Sequence, residues 1–367
     1  MKTISEIRKA CSNRLAEEID AIKKHRASGL KVLGYTCHAV PAAVAAGLGL
    51  WPVRVLCGTS SDAESSGEKV VRPDVCPLVK SLLGNVLEKR GLHAEVDIWI
   101  GLYTCDQMRR GFNCLSQDLG KEVHPIQLPS TRTVEAADYY ASQIRRFVSD
   151  IEARYNFNFN SETAIEWQRE RMAAATVLSL AARSGEISPL DLHIMFHLFF
   201  IARPNKLAAF FENLINPYAG FKNKKSVVVT GSPLSFEDTA LLETLEKHGF
   251  SIISLNCTGL NSVEGLDIPA NNSDLPYSLA INAFNLPPCS RARPNDSVYK
   301  RISETLISAK ASGLIVKCLK FCDHWYTERE RMRRTFDVPV LVFDSDYAKG
   351  GNERVINRIE AFLETLS

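Results

Sequence analysis

This chain lacks the loops that usually hold phosphates. No GxGxxG follows an apolar run and no GxxxxGK[ST] occurs, so a dinucleotide fingerprint and a P-loop are both excluded. The Gly/Ser-rich stretch "GTSSDAESSGEK" (58–69) has the wrong spacing and reads as part of a loop over 59–73. No CxxC pair is present, which removes thioredoxin-type redox sites and zinc knuckles. The closely spaced cysteine run of bacterial ferredoxins is missing too. A net charge of only +2 gives no basis for binding nucleic acid. The longest apolar region, residues 39–56, is broken by Pro41, Pro52, glycines and Arg54, so no membrane span is expected. The N-terminus alternates charges at helical spacing without the apolar core of a secretory leader, and a cytoplasmic protein is expected.

Cysteine, by contrast, is abundant, with ten in 367 residues. In a reducing compartment these are packing residues, metal ligands or redox groups rather than disulfides. Their positions depend on the fold. The composition, 45% hydrophobic and 23% charged, is that of a globular protein of two domains.

Residues 1–27 read as a surface helix. Apolar runs at 31–35, 52–58, 96–104 and 123–129 read as strands separated by helices at 41–48 and 76–90, the latter with Pro77 suited to its first turn. From 131 to 221 the period is helical, and after 225 strands return at 226–231, 251–256, 313–321 and 338–346. Strand–helix alternation predicts two Rossmann/flavodoxin-like parallel-sheet α/β domains. The expected divisions are an N-terminal helix (1–30), a first α/β domain (31–130), a helical segment (131–222) and a second α/β domain (223–367).

In open parallel sheets, ligands bind just beyond the carboxyl ends of the strands. Cys37, Cys105, Cys257 and Cys322 each follow directly on a predicted strand. Cys76 opens a helix, where backbone N–H groups favour a thiolate, and Cys289 lies in the proline-rich loop "NLPPCSRARPND". These six can face one cavity. Cys11, Cys57, Cys114 and Cys318 lie elsewhere and read as packing residues. Thiolates without a histidine or carboxylate motif suit a soft metal. The residues leave three readings open: an iron–sulfur site, a zinc site made by four of the six, or scattered structural thiols. His193 and His197 stand one helical turn apart in "HIMFH", but their apolar neighbours point to core histidines rather than zinc ligands. "RERMRR" (329–334) and "KNKK" (222–225) read as solvated faces, with a docking patch for an acidic partner as the alternative.

The motifs "GYTCHAVP", "CPLVKSLLG", "YTCDQMRR" and "LKFCDHW…VPVLVFDSDY…RIEAFLE" together resemble the 2-hydroxyacyl-CoA dehydratase superfamily, which includes benzoyl-CoA reductase subunits and double-cubane cluster proteins. The similarity spans nearly the whole chain in the right order. It implies that Cys76, Cys105 and Cys322, in the "CP", "TCD" and "FCD" motifs, hold a [4Fe–4S] cluster. It further implies that Cys37, Cys257 and Cys289 supply the extra thiolates of a double cubane, [8Fe–9S], the branch the chain most resembles. Dehydratase-like relatives carry an acidic residue shortly after the first proline, where this chain has Ala42, Ala43 and Val44.

The implied function is low-potential reduction of a small molecule. Electrons would come from an ATP-dependent activator protein with its own [4Fe–4S] cluster, and the protein itself would be a homodimer. One alternative is a subunit of a 2-hydroxyacyl-CoA dehydratase or benzoyl-CoA reductase with a single [4Fe–4S] cluster. There Arg109 and Arg110 either meet CoA phosphates or the activator, or form a solvated helix face. A non-catalytic electron carrier is the second alternative.

Overall fold

A computed structural model describes residues 4–215, 225–269, 273–347 and 352–366. Among these residues, eight strands form two four-stranded sheets, every pairing parallel. The first holds β1 (Val32–Tyr35), β2 (Trp51–Arg54), β3 (Ile98–Tyr103) and β4 (Glu122–Gln127), in the order β2-β1-β3-β4. The second holds β5 (Ser226–Gly231), β6 (Ser251–Ser254), β7 (Gly313–Leu319) and β8 (Val340–Ser345), in the order β6-β5-β7-β8. The same winding therefore occurs twice. In each sheet the chain reverses direction between the two central strands, leaving a crevice at their carboxyl ends.

The central strands are buried on both faces, which is why β5 and β7 read as unbroken apolar runs, "SVVVTG" and "GLIVKCL". Pro125 is tolerated in β4 because that strand lies at a sheet edge. The helices Val134–Tyr155, Ser161–Ser184 and Pro189–Ile201 lie between the sheets in sequence. The first sheet's core, with Leu33, Ile98 and Ile100, also contains Leu275, Leu279 and Phe284 from a helix of the second half. The halves are thus interlocked.

Two local expectations change. The N-terminal helix, Ile4–Ala27, is not simply a surface helix. Ile7, Cys11 and Ile22 are buried, and Arg8 bridges Asp191 at 2.8 Å and Glu246 at 2.6 Å.

The stretch expected as a loop contains a helix, Ser61–Gly67, whose N-cap Ser60 accepts from the Ala63 N–H. Its small residues let it lie close against the helix Pro77–Leu87. A Cβ at Gly67 would strike the Lys80 carbonyl, and one at Gly84 the Ala63 carbonyl. Glu64 and Lys80, both buried, pair across this contact at 3.3 Å.

His193 and His197 are core residues on one helix face. Their Nε2 atoms donate to the carbonyls of Phe236 (3.3 Å) and Leu234 (3.1 Å), pinning the loop after β5. Of the basic runs, residues 222–224 fall outside the described residues. Arg329, Arg331 and Arg333 are paired with Asp344, Asp296 and Glu330.

Candidate cysteine-lined cofactor site

The loops beyond the strand ends of both sheets meet around one cavity that is partly open to solvent. Cys37, Cys76, Cys105, Cys257, Cys289 and Cys322 all line it. The other four cysteines do not. Cys11, Cys114 and Cys318 are core residues at 1%, 0% and 1% exposure, and Cys57 packs half-buried against the same core.

Burial is the main cause that raises these thiols, and neighbouring sulfurs add to it in two groups of three. In the first trio Cys76 is raised further by Cys322 and Cys105, and Cys322 by Cys105. Separately, Cys257 is pushed up by Cys37 and Cys289, and Cys37 by Cys289. The first trio takes two residues from the first half and one from the second; the second trio reverses this. A group held by either trio would fasten the two halves together.

Members of the first trio stand where helices begin. Cys76 is the N-cap of Pro77–Leu87, Cys105 of Asp106–Gln117, and Cys322 of the single turn Asp323–Tyr326. Met108 N–H donates to Cys105 Sγ at 3.4 Å, the Leu78 and Val79 N–H groups face Cys76, and the Ser232 hydroxyl serves Cys322. Such backbone groups stabilise negative charge on sulfur. Gly231 ends β5 at φ +118° beside the Lys317 carbonyl, where any Cβ would collide. That close approach lets Ser232 reach the site.

Arginines surround the second trio. Arg54, 1% exposed, donates Nε to the Thr36 carbonyl at 2.9 Å and Nη1 to the Cys257 carbonyl at 2.6 Å. Arg291, 5% exposed, donates Nη1 to the carbonyls of Leu128 (3.1 Å) and Pro129. Half-buried Arg132 donates to the Phe284 carbonyl. Among the described residues, none of the three pairs with a carboxylate. One nitrogen of each is buried without a partner: Arg54 Nη2, Arg132 Nε and Arg291 Nε. Asn256 Nδ2 and His38 Nδ1, beside the same cysteines, are also unpartnered. Sequence reading missed all five. The available signal was a charge inside the apolar run "WPVRVL", Arg54, and one close to Cys289 in "CSRARP", Arg291; nothing in the sequence marked Arg132.

What would fit here is anionic and bound through sulfur. Burial raises the thiols, Cys76 to about 12 and Cys257 to about 11, with Cys37, Cys105 and Cys322 raised as well. Binding of a metal group through these sulfurs would displace their protons. Among the described residues no three His, Cys, Asp or Glu side chains converge tightly enough for a single metal ion. The unpartnered donors suit a bound group of negative charge.

The first trio also faces an open groove of about 1470 Å³, lined by Arg109, Arg293 and His324. Arg109 pairs with Asp106 at 3.2 Å on an exposed helix face, and Arg110 is exposed nearby.

Doubled parallel α/β winding with a cysteine-lined crevice between the halves defines an α/β protein with a candidate sulfur-ligated cofactor site. Residues 37–366 match the family described as 2-hydroxyglutaryl-CoA dehydratase, D-component, and the chain belongs to that family. It is similar to YjiM of Escherichia coli (strain K12), provisionally named a dehydratase subunit, at 23% identity over 358 residues that cover 92% of each chain. Among the described residues, no helix is long and apolar enough to cross a membrane.

Proposed function

We propose that this chain is the iron–sulfur reductase of a dehydratase-family system, holding an [8Fe–9S] double cubane with three cysteines to each half. The observation that carries the reading is that six cysteines, three from each half of the chain, line one cavity. When bound, such a cluster supplies one-electron chemistry at low potential to a small molecule.

The chain's own part is to hold, bury and compensate. Helix starts and N–H groups face the sulfurs of Cys76, Cys105 and Cys322, and guanidiniums surround Cys37, Cys257 and Cys289. Leu78, Met108, Leu255 and Trp325 give the cavity apolar walls that lower its dielectric. With no P-loop in the sequence, ATP is used by a separate activator carrying its own [4Fe–4S] cluster. The open groove beside the first trio leaves that trio accessible from outside. In this reading the protein is a cytoplasmic homodimer that works without oxygen.

A second reading has support in the family's own description. A dehydratase or benzoyl-CoA reductase subunit would use only Cys76, Cys105 and Cys322, with Arg109 and Arg293 in the groove available to CoA phosphates. Against it, Ala42, Ala43 and Val44 are buried apolar residues where dehydratase-like relatives carry an acid. The two are separated by mixing anaerobic protein with its activator and ATP and recording electron paramagnetic resonance (EPR) spectra, with and without a 2-hydroxyacyl-CoA. Reduction that proceeds without thioester, and no dehydration when it is added, supports the reductase. Dehydration of the thioester supports the second reading.

A further inference from the structure

The surroundings of the two trios differ in charge. Arg54, Arg132 and Arg291 stand around Cys37, Cys257 and Cys289, hydrogen-bonded to backbone carbonyls and, for Arg54, to the Cys257 thiol; Arg54 and Arg132 also lie over the rings of Phe200 and Phe284, and each of the three has one buried nitrogen unpartnered. Buried cations without a counterion are costly, so the arrangement calls for an anion among them. The first trio has backbone N–H groups, the Ser232 hydroxyl, and two carboxylates that follow its cysteines directly, Asp106 and Asp323; the basic groups in the groove beside it are Arg109, paired with Asp106, Arg293, paired with Glu328, and the edge of Arg291. Both carboxylates are exposed and screened by water.

We infer that Arg54, Arg132 and Arg291 are charge-setting residues: they neutralise the group held by Cys37, Cys257 and Cys289 and make that half of the site the more readily reduced. The inference rests on the two-trio reading above. A fixed positive charge favours whichever state of its neighbour carries the extra electron, and burial in a low dielectric strengthens the effect. The half at Cys76, Cys105 and Cys322, beside the groove, is then the low-potential side, and the half at Cys37, Cys257 and Cys289 holds the electron. The arginines act through charge on the bound group and touch no substrate; they are positioning residues.

The test is an EPR-monitored redox titration of anaerobically purified protein, reduced stepwise with titanium(III) citrate, with iron measured on the same samples. Two one-electron steps are expected. Arg291→Gln and Arg132→Gln should each lower the upper step by about 59 mV, equivalent to a tenfold fall in its reduction constant, and leave the lower step in place. Arg291→Lys keeps the charge and should retain the upper potential. Arg132 is only half-buried, so its variant stays informative if Arg291→Gln fails to fold. Full iron content with both steps moving together, or neither moving, overturns the charge-setting role and leaves the two-trio reading standing. Half the iron or none in the unmutated protein overturns the reading itself.

Discussion

Arg54 donates from Nη1 to the carbonyl oxygen of Cys257 at 2.6 Å. Arg54 ends β2 of the first sheet, and Cys257 follows β6 of the second. Its Nε holds Thr36, the neighbour of Cys37, so one guanidinium fixes two cysteine loops from opposite halves. In iron-loaded protein, Arg54→Met leaves two buried carbonyls without donors and should cost about 2 kcal/mol. In iron-free protein the loss should be smaller, because an unpaired buried charge departs with the hydrogen bonds. Urea unfolding of both forms checks the difference.

Lys317 lies in the middle of β7, 2% exposed, with the Asp238 carboxylate against its Nζ and the Tyr347 ring 5.0 Å away. Burial pulls its ammonium down to about 7. Asp238→Ala removes the carboxylate against that ammonium and should cost more than Lys317→Met, which is similar in volume and uncharged. Equal losses in urea unfolding would contradict the assignment.

The buried histidines set an acid limit on stability. Burial holds His193 at about 4 and His197 well below its ordinary 6.5. Both are therefore neutral in the folded protein while the unfolded chain takes up protons below about pH 6.5. Stability is full above that value and falls as pH drops from about 6.5 toward 4, by about 3 kcal/mol for His193. His193→Gln keeps a donor for Phe236 and should flatten the slope by about one proton. Unfolding free energies measured between pH 7 and 4.5 would show no change of slope if these histidines were not responsible.

Gly84 sits against the Ala63 carbonyl, in the helix that Cys76 begins. Gly84→Ala forces the two helices apart, at a cost of about 1–3 kcal/mol, and should reduce iron held at the first trio. Iron content and melting temperature should fall together. A variant with normal iron and normal stability would show that the close contact is dispensable.

Much of this architecture was legible in the sequence because buried parallel strands read as apolar runs, and cysteines directly after them land at the sheet crevice. "SVVVTG" matches β5 residue for residue. The helix Ser61–Gly67 was not legible. Its Ser, Asp and Gly composition is that of a loop, and its helicity comes from a cap and from packing against a neighbour. Nor were the arginines readable as a set: Arg54, Arg132 and Arg291 are scattered along the chain and meet only once the two sheets close on each other. The division of six cysteines into trios also depends on that closure, and in the sequence it rested on family resemblance alone.

The central claim is that both trios bind iron, and the direct measurement is iron and acid-labile sulfide per chain on protein purified without oxygen, for the native sequence and for Cys257→Ser and Cys322→Ser. The account predicts about eight irons and about nine sulfides, with about half the iron lost in each variant. About four irons, unchanged in Cys257→Ser and abolished in Cys322→Ser, would contradict it and leave a single cubane on Cys76, Cys105 and Cys322.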